Sequence, residues 1–265
     1  MSRTIVETPA THISITPDSR IAMLGSCFTD NVGSRLEADA YSVVHNPMGP
    51  LFNPASIASV VEQSYPYTMH DLRREPDGIW HCLAYASRYL DADPQALLAR
   101  VNTEFSALRA ALDEADVLIF TFGTAFVFEE VATGRIVGNC HRIPAREFRR
   151  RRLSIDEIAD LWRPLMDRWS RAVKRPSVIF TVSPIRHTAD TLHGNNLSKA
   201  ILHLAIDRLV AEYDFAEYFP AFEALIDDLR DYTFYADDLK HPAPQAVDYI
   251  YQLFYNAYIS HNIKR

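Results

Sequence analysis

At 265 residues, with 48% hydrophobic and 23% charged side chains, the chain has the composition of a globular protein with a full core. A net charge of −7 argues against gripping a nucleic-acid backbone. No apolar run approaches the roughly 18–20 residues of a membrane span, and the opening MSRTIVETPATHISITPDS lacks the basic and apolar regions of a signal peptide, so the expected compartment is the cytoplasm.

In chain order the pattern alternates between strands and helices. Arg20 to Leu24 reads as a short buried strand, followed by a helix from Asp30 to Ala38. Tyr41 to Val44 is a second strand, closed by His45-Asn46-Pro47-Met48-Gly49-Pro50, and Pro54 opens a helix to Glu62. Residues 65–93 are mixed and aromatic, with an Asp77-Gly78 turn, and are expected to be a small β insertion or hairpin. A helix runs from Pro94 to Leu112, and Val117 to Phe122 is a continuous apolar run of the kind that fills the centre of a parallel sheet.

Phe126 to Glu130 and Arg135 to Val137 read as a hairpin, and Ser154 with Glu157 forms a capping-box pattern at the head of a helix extending past Trp169. Ser177 to Val182 is another strand, Asn196 to Tyr213 a helix, Phe215 to Phe219 a short strand, and Ala243 to Tyr258 a last helix. This alternation predicts one α/β domain over residues 1–265: a three-layer α/β/α sandwich around a parallel sheet. Ligands of such sheets gather at the carboxyl ends of the strands, where Gly25-Ser26-Cys27, residues 46–49, Gly123-Thr124 and residues 183–187 fall.

Two short segments there carry chemistry. Gly25-Ser26-Cys27-Phe28 lies between a strand and a helix N-terminus, where open amides and the helix dipole favour a thiolate and lower its pKa. The plainer reading of Cys27 is a small buried core residue. Near the other end, Asp238 stands three residues before His241. That spacing allows the carboxylate to hold one ring nitrogen and leave the other as a general base; a solvated loop is the alternative.

Together with Leu24-Gly25-Ser26-Cys27-Phe28, the blocks Asn46-Pro47-Met48-Gly49, Phe122-Gly123-Thr124-Ala125, Asn139-Cys140-His141, Val182-Ser183-Pro184-Ile185-Arg186-His187 and Asp238-Leu239-Lys240-His241 resemble the GSCFA family, within the SGNH (GDSL-type) hydrolase superfamily. The resemblance runs from Ile21 to Phe254 and implies a flavodoxin-like fold with ester hydrolysis or acyl transfer. Aligning Gly-Ser-Cys onto the superfamily's Gly-Asp-Ser implies a catalytic triad of Cys27, His241 and Asp238, with Ser26 as the nucleophile if the register shifts by one. It also implies an oxyanion hole built on the amides of Cys27 and Gly49. The superfamily's third donor, an asparagine, is missing from Gly123-Thr124-Ala125, and the Thr124 hydroxyl is the nearest substitute.

Ser26, Asn46, Gly123, His141, Arg186 and His187 are the candidate substrate-binding residues. Arg186 and His187 are suited to a substrate carboxylate or phosphate, or else to a structural ion pair. Asn196 and Lys199 are expected to cap and decorate the helix that follows. The basic run Arg146, Arg149, Arg150, Arg151, Arg152 reads as a solvated face or, functionally, as a holder for a phosphorylated donor such as an acyl-coenzyme A. Three cysteines at irregular spacing and ten histidines without a ligand pattern predict no metal, and the eight glycines form no dinucleotide or phosphate loop, so no cofactor is expected. Trp80, Trp162 and Trp169 are assigned to the core.

The expected activity is a hydrolase cleaving an acyl ester or thioester of a small molecule or carbohydrate through Cys27. An acyltransferase acting on a hydroxyl is the alternative, and a non-catalytic binding module that keeps the fold is a third reading.

Overall fold

The computed structural model describes residues 4–8 and 10–259. Its strands are β1 (Arg20–Gly25), β2 (Ser42–His45), β3 (Arg73–Arg74), β4 (Trp80–His81), β5 (Leu90–Asp91), β6 (Val117–Phe122), β7 (Phe126–Glu130), β8 (Ile136–Val137), β9 (Phe148–Arg152), β10 (Ser177–Val182) and β11 (Ala216–Phe219). The helices are α1 (Cys27–Ala38), α2 (Pro54–Glu62), α3 (Pro94–Glu114), α4 (Ile155–Ser170), α5 (Thr191–Glu212), α6 (Ala221–Glu223, continued by a π-helical turn Ala224–Leu229) and α7 (Pro244–Tyr258).

Five strands form one parallel sheet in the order β11-β10-β6-β1-β2. Every residue of β6 is buried, and accordingly its sequence is apolar on both faces apart from Thr121. On one face, Leu118, Phe120, Phe122 and Phe180 meet α2, α3, α4 and α5. Trp162 of α4 packs with its ring centroid 4.7 Å from Phe120 and 5.3 Å from Phe180. On the other face, Met23, Ile119 and Ile179 are covered by α1, α6 and α7 through Phe28, Leu36, Leu225 and Phe254. The result is the expected three-layer α/β/α sandwich. No helix among the described residues is long and apolar enough to cross a membrane.

Two three-stranded antiparallel sheets sit beside this core. One, β3-β4-β5, occupies the segment read as an insertion; the other has the order β8-β7-β9. Strand β9 is the element the sequence hides, because four consecutive arginines carry no apolar alternation. Its charges are matched across the ladder instead: Arg149 and Arg151 both bond Glu129 of β7, and Arg151 also bonds Glu157. The arginine run is therefore mainly an ion-paired strand.

Three expectations shift. Helix α1 begins at Cys27, not near Asp30, because Ser26 caps it. Helix α5 begins at Thr191, five residues early. Its first turns are polar, yet Asn195 is buried there and its carboxamide accepts from the His187 amide. Trp80 is half-buried on β4 rather than in the core, whereas Trp162 and Trp169 are core residues as expected.

Candidate active site

The turn after β1 is built by a close approach. A Cβ on Gly25, whose φ is +153°, would lie 2.3 Å from the Thr121 carbonyl oxygen, so only glycine fits beside β6. The Ser26 amide then donates to that same oxygen at 3.2 Å. Ser26 is extended, and its hydroxyl accepts from the Phe28 amide at 3.3 Å as the N-cap of α1. Cys27 is thus the first residue of the helix, half-buried, with its own amide among those that have no intrahelical acceptor.

Asn46 fixes the turn from the neighbouring strand. Its Oδ1 accepts from the Gly25 amide at 2.9 Å, and its Nδ2 donates to Asp30 at 2.9 Å and to the Ser26 carbonyl at 3.4 Å. Asp30 also meets His45 Nδ1 at 3.0 Å. With all its polar atoms spent and 5% exposure, Asn46 positions the Cys27 turn rather than facing a ligand.

The thiol does not have the lowered pKa expected of a helix N-terminus. Burial pushes it up, and the Asp30 and Asp238 carboxylates add to that, against a smaller pull downward from the Cys27 and Phe28 amides. Asp30 lies one turn along the same helix, so its negative charge opposes the helix end. Cys27 rests as a thiol and needs a base to react.

A candidate for that base, His241, lines the same pocket. Asp238 Oδ2 lies 2.5 Å from His241 Nδ1, while its Oδ1 accepts from the Lys240 and His241 amides at 2.9 and 3.0 Å. These donors hold the Asp238 carboxyl well below the usual carboxylate range. The pairing commits Nδ1 and leaves Nε2 of His241 free.

A pocket of about 670 Å³ opens at the carboxyl end of the sheet and is lined by Cys27, Ser26, His241, Lys240, Arg186 and His187, with Phe52, Phe128 and Arg150 among its walls. Gly123 lies against this wall: a Cβ built on it would sit 3.4 Å from His187 Nε2 and 3.5 Å from Ser26 Cβ. The structure therefore brings together Cys27, Ser26, His241, Arg186 and His187, with Asp238 behind and Gly123 beneath.

Besides Asn46, three expected residues are not brought there. Gly49 donates its amide to the Asn46 carbonyl at 2.7 Å, closing a turn, and does not line the pocket. The Thr124 amide goes to the Phe52 carbonyl at 2.9 Å, and its hydroxyl is shared between Ser198 and the Phe126 amide. His141 packs under the small β3-β4-β5 sheet, with Nε2 3.0 Å from the Tyr85 carbonyl and Nδ1 3.3 Å from His81 Nδ1. Burial lowers its pKa, and among the described residues no group of three candidate ligands gathers around a metal-sized space.

The model of the GSCFA family matches residues 20–254, from the first residue of β1 into α7. The chain belongs to the GSCFA family. No curated protein matches it in sequence. A solved structure from Streptococcus pneumonia, provisionally described as a platelet activating factor, is similar at 11% identity with a TM-score of 0.44, covering 92% of this chain and 86% of that one.

Two features of this GSCFA protein's site lay outside the sequence reading. Lys199, expected on an exposed helix face, is 2% exposed and donates to the Gly123 and Ser183 carbonyls, both at 2.6 Å, tying together the ends of β6 and β10. Burial lowers its pKa to about 7. Arg150 leaves the basic run to enter the pocket wall, stacked 4.1 Å from the Phe126 ring centroid and neutralised by buried Asp190. The carboxylate partners were visible in the sequence, but only the fold shows which arginine each one takes.

Proposed function

We propose that this GSCFA protein is an acyl hydrolase of the SGNH type that cleaves an ester or thioester through Cys27. The observation that carries the reading is that Cys27, at the first position of α1, and His241, with Asp238 on its far nitrogen, line one pocket. In the proposed step, His241 Nε2 takes the thiol proton as Sγ attacks the acyl carbonyl, and returns it to the departing alcohol or thiol. Water, deprotonated by the same nitrogen, then releases the acid from the thioester. A base is needed because burial and two carboxylates keep the thiol protonated at rest.

The negative oxygen of the tetrahedral intermediate would be met by the Cys27 amide. Phe28's amide is taken by the Ser26 hydroxyl, and Gly49's by Asn46. Losing one such donor typically costs about 2.7–4 kcal/mol of transition-state stabilisation. Ser26 is a poor nucleophile candidate here because its oxygen caps the helix.

The reading is tested by mass spectrometry of the protein incubated with an aryl acetate. An acetyl adduct that maps to Cys27, disappears in Cys27→Ala and persists in Ser26→Ala is expected; an adduct on Ser26 would reverse the register. Adding a sugar acceptor separates hydrolysis from transfer, since transfer consumes the adduct with formation of an acyl sugar. A Cys27 that alkylates at the same rate in wild type and His241→Ala would instead indicate a binding module.

A further inference from the structure

The candidate active site has a neighbouring cavity of about 460 Å³, the two sharing Arg186 and Thr188 in their walls. Arg230, Tyr232, Tyr235 and Leu239 line its far side, and no carboxylate lines it. Arg186 donates from Nη1 to the neutral Asn196 carboxamide at 3.1 Å, and neither Arg186 nor Arg230 has an ion-pair partner among the described residues. The Arg230 backbone closes the π-helical turn, with φ +49° and its amide on the Leu225 carbonyl at 3.1 Å.

The contrast with Arg150 is direct, since buried Asp190 neutralises that charge before it reaches the pocket. Of the acidic residues nearby in sequence, Asp231 accepts from the Thr233 amide, and Asp238 is turned onto His241. Lys240, likewise without a carboxylate partner, stands at the mouth of the first pocket. An acidic protein, with a net charge of −7, therefore places three cations that have no ion-pair partner among the described residues around two neighbouring cavities. The rim of the second is also apolar. Leu192, Tyr232 and Leu239 are 62%, 75% and 56% exposed, an unusual gathering of large side chains in water.

We propose that the second cavity is the subsite for an anionic group on the substrate, a phosphate or carboxylate attached to an apolar or aromatic body. Arg186 and Arg230 hold its oxygens through charge-assisted hydrogen bonds, and Tyr232, Tyr235 and Leu239 flank the body. The inference rests on the reading of Cys27 as an acyl acceptor and adds to it the class of substrate: anionic esters or thioesters.

Phenyl acetate, 4-acetoxybenzoate and 4-acetoxyphenyl phosphate share one acyl group and differ in the charge opposite it. The quantity to compare is kcat/KM for each anionic ester divided by that for phenyl acetate, because intrinsic leaving-group reactivity cancels when this ratio is followed across variants. Arg186→Gln and Arg230→Gln are each expected to lower the ratio about tenfold, the size of one charge-assisted hydrogen bond. Arg230→Lys should retain most of it. The larger drop identifies phosphate or carboxylate as the preferred group. A ratio unchanged in both glutamine variants, with Cys27 still acylated, overturns the subsite alone.

Calorimetry with unreactive phenyl phosphate gives a readout that does not depend on acylation. Binding to the wild type that is lost in Arg230→Gln supports the subsite even if no ester acylates Cys27. Absence of binding at millimolar concentration overturns it. Failure of all three esters to label Cys27 would count against the acyl-acceptor reading by itself.

Discussion

The turn carrying Cys27 is locked into the core, whereas the loop carrying His241 is held along one edge. Gly25 presses on Thr121, Asn46 bonds three groups of the turn and its helix, and Ser26 is 1% exposed. The Asp238 and His241 side chains are 45% and 49% exposed. Their loop is fixed by the Ala236 amide on the His241 carbonyl and the Ala243 amide on the Phe234 carbonyl, both at 2.8 Å. The comparison teaches that the proposed nucleophile is positioned by the same contacts that stabilise the sheet, while the proposed base is positioned by local bonds that the core does not need. Substitutions at the first region should therefore change stability and activity together. At the second they should change activity alone.

The largest effect tests the loop. His241→Ala is expected to slow acylation of Cys27 by about 10²–10⁴-fold, the usual contribution of a general base. Its urea unfolding curve should stay within about 0.5 kcal/mol of wild type, as for surface positions generally. Full acylation activity in this variant would sink the role of His241, and a large stability loss would sink the division between the two regions.

The core side is tested by Gly25→Ala. The added Cβ meets a backbone oxygen that cannot move without disturbing the β1–β6 pairing. A stability loss of about 3 kcal/mol is expected, with activity falling in parallel. Asn46→Ala should cost somewhat less, about 2 kcal/mol, by leaving the buried Gly25 amide without its acceptor. Denaturant midpoints of the two variants, compared with their acylation rates, show whether stability and turnover move together. Wild-type stability in either would mean that the turn is held by other contacts.

Local and long-range features of the molecule were unequally legible in the sequence. The apolar run of β6 and the capping box of α4 announce themselves because burial and capping act over a few residues. Cys27, Asp238 and His241 were readable for the same reason: a strand–turn–helix and an i, i+3 pair are local. Gly49 and Thr124 were misleading because an amide's partner is decided by whichever carbonyl the fold brings near, here Asn46 and Phe52. Strand β9 was hidden because its ladder partner supplies the charges that make it stable. The direction of the Cys27 shift was misread: the helix end predicts a lowered pKa, whereas burial, which the sequence does not show, and then Asp30 one turn away raise it.

A smaller effect follows from that thiol. With burial and Asp30 raising its pKa, the rate of Cys27 alkylation by iodoacetamide should reach half its maximum at a pH above that of a free cysteine, and Asp30→Asn should move the midpoint down. Mass spectrometry of the labelled peptide across pH 6–10.5 reads this directly. A midpoint below that of free cysteine would mean that a thiolate–imidazolium pair with His241 dominates, and that the turn and the loop are coupled electrostatically at rest.

The smallest effect per pH unit concerns His187, in the pocket wall. Burial lowers its pKa to about 4, helped by the positive charges of Lys199 and Arg150 nearby, so the folded protein keeps the ring neutral where an unfolded chain would protonate it. For such a group the unfolded state binds more protons between its own pKa of about 6.5 and the folded value of about 4. Stability from this source is complete above the upper limit and is lost as pH falls through the window. The slope is at most about 1.4 kcal/mol per pH unit for one histidine. His203, with its pKa also lowered to about 4 by burial and Lys199, adds a second contribution of the same sign. Urea unfolding at steps from pH 7 to pH 4 should therefore show a decline that becomes shallower in His187→Gln while the part due to His203 persists. An unchanged slope in that variant would mean that His187 protonates in the folded state, and that the wall of the pocket carries charge under mildly acidic conditions.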